Sequence, residues 1–573
     1  MLVAEYISNF IKEKGTSHAF GYPGGMVTYL MDAFDNLDGF TAYSLYHEQS
    51  AAFAASAYAQ RTNSIGVAYA TSGPGATNLI TGIAHAYYES VPVLFITGQV
   101  NTKESKGDLK IRQKGFQETD VVSIVNSITK YSTYVGSATD IRYELERAFY
   151  EATSGRPGPV LLDIPIDIQR TEIDPKSLKP FIQSKKIKLE MNTALEILKS
   201  ELLLSNKPVL LLGNGINVSN TRDNTRILIE KLGIPVVTSM IAIDLLESDH
   251  HLNYGFIGAY GNRYSNILLS QSDLIITLGS RLDIRQTGSN IKEFAKNSTI
   301  IRFDIDENEF SNVVNSKTIN LKIDLPIFLD FLSKEKTMTP KIFDKWIKQC
   351  DFYKSKLLHI DDLLPNKIVK KISHYIPMDI TVTTDVGQNQ VWISQSFNVK
   401  KNQRILFTGG HGAMGYSLPA AIGAHYASNQ KVFCFTGDGG MQINIQELQF
   451  IFREKLPIKI FILNNNSLGM IRHFQEMYFE SNFAQTVENK GYSAPNFVEI
   501  ARAYKIKAIH INSIDEIDRA TDLLLNDEPC LFDVQVGNTT FVYPKLEFTK
   551  PIYDQEPPLD RELLDELLNY EDK

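Results

Sequence analysis

The chain has 573 residues, of which 43% are apolar and 22% charged, enough for three or four domains of ordinary size and a soluble composition. A formal charge of −8 with no basic block argues against a nucleic-acid partner, and no apolar run reaches the roughly 18 residues of a membrane span. Cys350, Cys434 and Cys530 share no metal-like spacing and read as small buried hydrophobes in a reducing compartment, so a cytoplasmic location is expected.

The N-terminal stretch "MLVAEYISNFIKEKG" is an amphipathic helix with Glu5 in its first turn. It lacks the basic start and unbroken apolar core of a signal peptide. Helices and strands then alternate to about residue 170, with strand-like runs in "HAFGYPGG", "SIGVAYATSGPG", "VPVLFITGQ" and "GPVLLDIP". Residues 171–190 are polar and hold two prolines, which reads as a linker. A second α/β block follows, with "KPVLLLGNG", "GIPVVTSM", "SDLIITLGSRLD" and "STIIRFDID". The polar stretch "SKEKTMTPKIFDKWIKQ" leads into a third block. The expected division is 1–170, 188–335 and 345–545, with a tail at 546–573 that ends in a short polar helix.

The first and third blocks echo each other. Each has a small-residue helix ("AAFAASAYAQ", "LPAAIGAHYA"), then a strand, a glycine loop, a helix and a second strand. Gly73 to Pro92 is 19 residues and Gly437 to Pro457 is 20, which points to two copies of one α/β design. The predicted fold class is therefore α/β: three doubly wound parallel-sheet domains, the first and third a related pair.

Asp438 and Asn465 lie 27 residues apart, each at the end of an apolar run, "KVFCFTG" and "IKIFILN". With "NIQELQFIFREK" between them as a helix, the unit is βαβ. The two parallel strands then bring their C-terminal ends side by side, where ligands of open α/β sheets bind. "GDGG" (437–440) alone would be a plain turn. Paired with an amide oxygen, its carboxylate makes a hard-oxygen site for Mg²⁺, and the amides of Gly437, Gly439 and Gly440 are open to a diphosphate.

G-D-G followed by N-N at this distance resembles the motif of the thiamine diphosphate (ThDP) enzymes. "HEQSAAFAASAYAQRT" (47–62), "TSGPGATNLITGIAHAYYESVPVLFITGQV" (71–100), "GFQETD" (115–120), "GRPGPVLLDIP" (155–165) and "LGSRLDIRQTG" (278–288) extend the likeness over nearly the whole chain. They resemble the acetolactate synthase large-subunit branch. The resemblance implies ThDP, Mg²⁺ and FAD as cofactors. It also implies a homodimer or homotetramer with active sites at the dimer interface, so that a lone chain would be inactive. The sequence names no regulatory subunit.

The cofactor must lose its C2 proton, and a carboxylate beside the aminopyrimidine promotes that loss. The resemblance gives this part to Glu48, which starts a helix of small residues. It gives Ser467 a carbonyl ligand to the metal, Gly387, Gln388 and Asn389 the diphosphate, and Gly412, Met414 and Met470 contacts to the cofactor. Asn389 stands where the synthases usually have His. Gly410, Gly412 and Gly415 also spell G-x-G-x-x-G, a weak dinucleotide match by itself. Phe116 and Gln117 resemble residues lining the reaction space. Arg285 resembles the arginine that meets the second substrate's carboxylate, and Arg281 one that touches flavin; a surface ion pair with Asp283 is the bland alternative for both. "LLLGNGINVSN" and "FDIDENEF" have the look of flavin-binding ends, while "GAYGN" (258–262) departs from the Gly-Met-His-Gly of the synthases.

The expected reaction is decarboxylation of pyruvate or a similar 2-keto acid, with transfer of the two-carbon unit to a carbonyl acceptor. Three departures fall near the expected substrate channel. Ile166 stands in place of a lysine, Phe474 in place of Trp, and His411 in place of Leu; His411 reads either as a hydrogen-bonded surface residue or as a substrate contact. They leave open a non-keto-acid acceptor such as a keto sugar, or plain release of an aldehyde. A non-catalytic scaffold subunit would tend to lose Glu48, Asp438 or Asn465, and all three are present. No G-x₄-G-K-[ST] occurs, which excludes a P-loop nucleotidase.

Overall fold

A computed structural model describes residues 1–183, 191–335 and 342–570. The end of the expected linker, the expected domain start at 188 and part of the second polar stretch lie outside them. Three six-stranded sheets, parallel throughout, carry helices on both faces.

The first sheet contains β1 (His18–Gly21), β2 (Thr41–Ser44), β3 (Gly66–Ala70), β4 (Val93–Gln99), β5 (Tyr131–Tyr134) and β6 (Val160–Pro165), in the order β2-β1-β3-β4-β6-β5. The second contains β7 (Pro208–Leu212), β8 (Val236–Thr238), β9 (Asn253–Phe256), β10 (Leu274–Leu278), β11 (Thr299–Asp304) and β12 (Thr318–Lys322), in the order β12-β11-β10-β7-β8-β9. The third contains β13 (Thr381–Thr384), β14 (Arg404–Leu406), β15 (Val432–Gly437), β16 (Ile458–Asn464), β17 (Lys507–Ile511) and β18 (Cys530–Gln535), in the order β14-β13-β15-β16-β18-β17. Counted from its own first strand, the third sheet repeats the order of the first. The second differs: its order, read from the far end, is 3-2-1-4-5-6, the doubly wound arrangement with a switch point between its first and fourth strands.

The central strands β3, β4, β6, β7, β10, β15 and β16 are almost wholly buried, as apolar runs covered by helices on both faces must be. The two small-residue helices, Glu48–Thr62 and Ser417–Ser428, pack on each other and join the first and third domains through one core. Small residues permit the close approach. A Cβ on Gly423 would lie 1.9 Å from the Ala54 carbonyl oxygen, and one on Gly82 would lie 2.1 Å from the Ala52 Cβ.

Two expectations change. The helix Asp344–Leu357 buries Trp346, Cys350, Tyr353 and Leu357 in the core of the middle sheet, although the sequence reading set it at the start of the third block. The tail also belongs to that core. Ile552 and Leu559 are buried there, and the helix Arg561–Leu568, expected to be polar, sinks Leu564 and Leu567 into it. Buried Arg263, held by a double hydrogen bond to Asp361 at 2.7 and 2.9 Å, anchors the tail by donating to the carbonyls of Gln555 and Pro557. Among the described residues no helix is long and apolar enough to cross a membrane.

Candidate active site

At the C-terminal edge of the third sheet, Asp438 is the first residue of the helix Asp438–Ile443, which follows β15 without a turn between. Asn465 follows β16 directly. Both converge on the Ser467 N–H, which donates to Asp438 Oδ2 at 3.0 Å and to Asn465 Oδ1 at 3.2 Å. The Asn465 side chain is oriented from behind: its Nδ2 donates to Gln388 Oε1 at 2.9 Å and to Thr540 Oγ1 at 2.8 Å. Gln388 is held in turn, its Nε2 donating to the Thr540 carbonyl at 3.0 Å. A Cβ at Gly469 would lie 2.1 Å from Gln388 Oε1, so only glycine fits beneath this pair.

Asp438 is 3% exposed, and burial lifts its carboxyl to about 7. The carboxylate, the Asn465 amide oxygen and the Ser467 carbonyl are hard oxygen donors with more lone pairs than the few N–H groups nearby can fill. That donor set fits a small divalent cation such as Mg²⁺. Among the described residues no group of three or more His, Cys, Asp or Glu could hold a metal.

The loop Gly409–Tyr416 beside it is pinned from two sides. Glu89, in the first domain, accepts from the N–H groups of Gly410 at 2.5 Å and His411 at 3.2 Å. The Tyr88 ring stacks on His411 at 5.6 Å with 7° between planes. Gly412 and Gly415 take φ of +68° and +80°, which glycine tolerates. The Gly415 N–H donates to the buried Asp385 carboxylate at 3.0 Å. Burial pushes Asp385 up to about 6 while it also receives Val386 N–H, Ser417 Oγ and Thr436 Oγ1. Met414 is half-exposed and leans over Gly439, where a Cβ would meet its Cε at 3.1 Å.

The diphosphate assignment is refined in two places. The Gln388 side chain is engaged with Asn465 and Thr540, and the Asn389 side chain closes its own turn, accepting from Thr384 Oγ1 at 2.9 Å and donating to the Val386 carbonyl at 2.9 Å. What this turn offers an anion is backbone N–H groups at the start of the helix Gln388–Ser396, after Gly387 with φ +109°.

Glu48 sits at the matching edge of the first sheet. It is the buried first residue of its helix, with His47 as N-cap, and its Oε2 accepts from Asn78 Nδ2 at 2.9 Å. A Cβ on Gly75 would lie 3.2 Å from its Oε1. Gln117, with φ +63°, packs against Gly73 in the same loop cluster, while Phe116 is 80% exposed. Ile166 begins the short helix after β6 and is half-buried. Within one chain the Glu48 and Asp438 groups share no hydrogen bond. Their helices are linked where Ser50 Oγ donates to Asn444 Oδ1 at 3.0 Å and Asn444 Nδ2 donates to Gln49 Oε1 at 3.3 Å, at the far end of the helix that Asp438 starts, about 9 Å along it.

A cleft of about 1410 Å³ opens at the switch point of the middle sheet, its other wall formed by first-domain residues such as Tyr88, Glu89, Tyr150 and Arg156. It is lined by the Gly213–Asn214–Gly215 turn after β7, by Arg281 and Arg285, and by Asp304 at the end of β11. Arg281 pairs with Asp283 at 3.1 Å. Arg285 makes no such pair among the described residues; its guanidinium lies 5.8 Å from the Tyr260 ring, whose hydroxyl reaches Met470 Sδ at 3.7 Å. The middle domain thereby meets the helix Gly469–Tyr478, on which Met470 and Phe474 share a face. Thr540, Asp385, Glu89 and Tyr88 were not singled out from the sequence, because each acts through a partner far away in the chain.

Comparison with known proteins gives the class. The thiamine pyrophosphate enzyme N-terminal TPP binding domain matches residues 1–124, the central domain residues 192–332, and the C-terminal TPP binding domain residues 385–534. The chain belongs to the thiamine pyrophosphate (ThDP) enzyme family. Within it the chain is acetolactate synthase-like. It is 37% identical over 561 residues to the acetolactate synthase large subunit of Lactococcus lactis, covering 95% of this chain and 94% of the relative. It is 34% identical to the isozyme 2 large subunit of Escherichia coli K12, covering 94% and 96%, and 35% identical to the large subunit of Porphyra purpurea, covering 93% and 92%.

Proposed function

We propose that this ThDP-dependent transferase decarboxylates pyruvate or a similar 2-keto acid and joins the two-carbon unit to a carbonyl acceptor. The observation that carries the reading is the pair of oxygens from Asp438 and Asn465, presented by adjacent parallel strands and held by Gln388 and Thr540. Bound ThDP supplies the carbon nucleophile and the electron sink that the decarboxylation needs.

The chain's own groups have distinct tasks. Asp438, Asn465 and the Ser467 carbonyl hold Mg²⁺, and the N–H groups of Gly387–Asn389 and Gly439–Gly440 meet the diphosphate. Glu48 holds or shares a proton at the aminopyrimidine edge. Met414 props the cofactor over Gly439. Arg285, free of any carboxylate among the described residues, receives the carboxylate of the acceptor. The Gly213–Gly215 turn, Arg281 and Asp304 hold FAD in the middle-domain cleft, and the reaction moves no net electrons.

The catalytic unit is a homodimer, with Glu48 of one chain completing the metal edge of the other. The 80% exposure of Phe116 and the half-exposed Met414 support it, since both are apolar groups of the site that a second chain would cover. That these relatives are large subunits supports a smaller partner subunit as well. Retention of Glu48, Asp438 and Asn465 opposes a scaffold role.

The test is pyruvate turnover with ThDP and Mg²⁺, with and without FAD, products read by mass spectrometry. Acetolactate is the expected product without added acceptor. Absence of any pyruvate turnover by protein that binds ThDP overturns the donor assignment.

A further inference from the structure

Lys545 is a buried cation held by a sulfur and two aromatic rings. It is 7% exposed, yet its Nζ makes no ion pair among the described residues. Its contacts are the Met477 sulfur at 2.9 Å and the faces of Phe474 and Tyr478, whose centroids lie 5.7 and 5.8 Å away. A thioether is a weak acceptor, and two rings attract the charge without accepting strong hydrogen bonds. Most of the hydrogen-bonding capacity of an ammonium group is therefore unused in a place where its hydration is stripped away. Glu547 and Glu556 both pair with Lys550, and Glu547 acts on Lys545 only as a nearby charge, without an ion-pair contact. The other charged neighbour, Arg472, is cationic and is already paired with Glu476 at 3.1 Å.

The position is as telling as the environment. Met470, Phe474 and Tyr478 recur every four residues along one face of the helix Gly469–Tyr478. Arg285 reaches this face at its inner end, through Tyr260 on Met470. Lys545 reaches it one to two turns further out, about 9 Å along the axis, between Phe474 and Tyr478. Phe474 and Tyr478 are themselves 38% and 40% exposed, so this end of the helix face opens to the surface. The segment that carries Lys545 is fixed to the middle domain by the Leu546 N–H, which donates to the Ala259 carbonyl at 2.7 Å, next to Tyr260.

We propose that Lys545 is a specificity-determining anion site for the acceptor, and that the preferred acceptor bears a second anionic group, a carboxylate or a phosphate ester, several bonds from its reacting carbonyl. Arg285 meets the anionic or polar group beside that carbonyl, and Lys545 meets the distal one. This rests on the proposed carboligation and narrows its acceptor. In the step, the carboxylate carbon of pyruvate leaves as CO₂. The two-carbon unit forms a C–C bond to the acceptor carbonyl carbon, and the acceptor oxygen takes one proton. Pyruvate, acceptor and one H⁺ give CO₂ and a 2-hydroxy ketone, with no oxidant or reductant required.

The test uses the holoenzyme with ThDP, Mg²⁺ and FAD and has two readouts. Calorimetric titration compares unreactive ligands: glutarate and glycerol 3-phosphate against butyrate. At least one of the first two is expected to bind tenfold or more tightly than butyrate, the better of them assigning the distal group as carboxylate or phosphate ester. In Lys545→Met that advantage falls to within twofold, and Lys545→Arg retains it. With pyruvate as donor, kcat/KM for 2-ketoglutarate relative to 2-ketobutyrate is expected to drop tenfold or more in Lys545→Met. Wild-type enzyme that binds neither dianion more tightly than butyrate overturns the proposal, even if no variant folds. Failure of the parent reading looks different, as no pyruvate turnover at all.

Discussion

Asp438 and Asn465 share a single backbone donor, the Ser467 N–H, at 3.0 and 3.2 Å. Two acceptors on one hydrogen leave the carboxylate and amide oxygens turned toward the same unfilled direction. Asp438→Asn removes the only anion of the set. Its affinity for ThDP in the presence of Mg²⁺ is expected to fall by about two orders of magnitude, measured by calorimetric titration. Unchanged affinity would remove Asp438 from the metal site.

Gln388 offers a more selective probe because it touches Asn465 and not the expected cation. Gln388→Leu leaves the Asn465 amide with one of its two acceptors and frees it to rotate. Partners that orient metal ligands are commonly worth 10–100-fold in affinity, so the Mg²⁺ concentration for half-maximal ThDP binding should rise by about that factor.

Glu48 is predicted to act on the proton and not on binding. Glu48→Gln keeps the hydrogen bond to Asn78 within reach but removes the carboxylate. Turnover of pyruvate is expected to drop by roughly 10²–10⁴, while ThDP binding changes by less than about threefold. A parallel loss of ThDP affinity would make Glu48 a structural residue.

The contact between the two small-residue helices can be tested without chemistry. Gly423→Ala places a methyl 1.9 Å from the Ala54 carbonyl oxygen. Neither backbone can yield without separating the first and third domains. A loss of about 1–3 kcal/mol is expected, read as a lower Tm.

A pH dependence follows from Asp163. Burial pushes its carboxyl up to about 7, even though Thr97 Oγ1 donates to it at 2.7 Å and Gln99 Nε2 at 3.0 Å. The unfolded chain releases this proton near pH 4 and the native protein near pH 7. Between those values the native state holds more protons, so stability falls as pH rises and is level above the native pKa. Asp163→Asn does not titrate. Its Tm relative to wild type should therefore rise between about pH 5 and about pH 8. A constant difference across that range would contradict the assignment.

Much of this architecture was legible in one dimension because the central strands are buried on both faces. "VLFITGQ" and "IKIFILN" admit little but core strand, and all seven positions of each are buried. The edge strands β2, β5 and β12 are half-exposed and carry no such signature. The echo between the first and third blocks survived as spacing, since glycine loops and small-residue helices cannot drift without opening the helix contact at Gly423. The tail was misread as polar because a helix with one buried stripe, Leu564 and Leu567, averages to a hydrophilic composition.

By itself the sequence determined the chemistry at the end of two strands: a carboxylate, an amide and a small-residue helix headed by Glu48, at spacings that a βαβ unit converts into neighbours. Tertiary structure alone decided who holds these groups. Thr540 reaches Gln388 across 152 residues, and Glu89 reaches Gly410 across 321. It also left Lys545 buried among rings with no ion pair among the described residues. Local propensity and periodicity act over one element, whereas hydrogen-bond satisfaction and charge pairing are settled by whichever distant segment the packed core brings alongside.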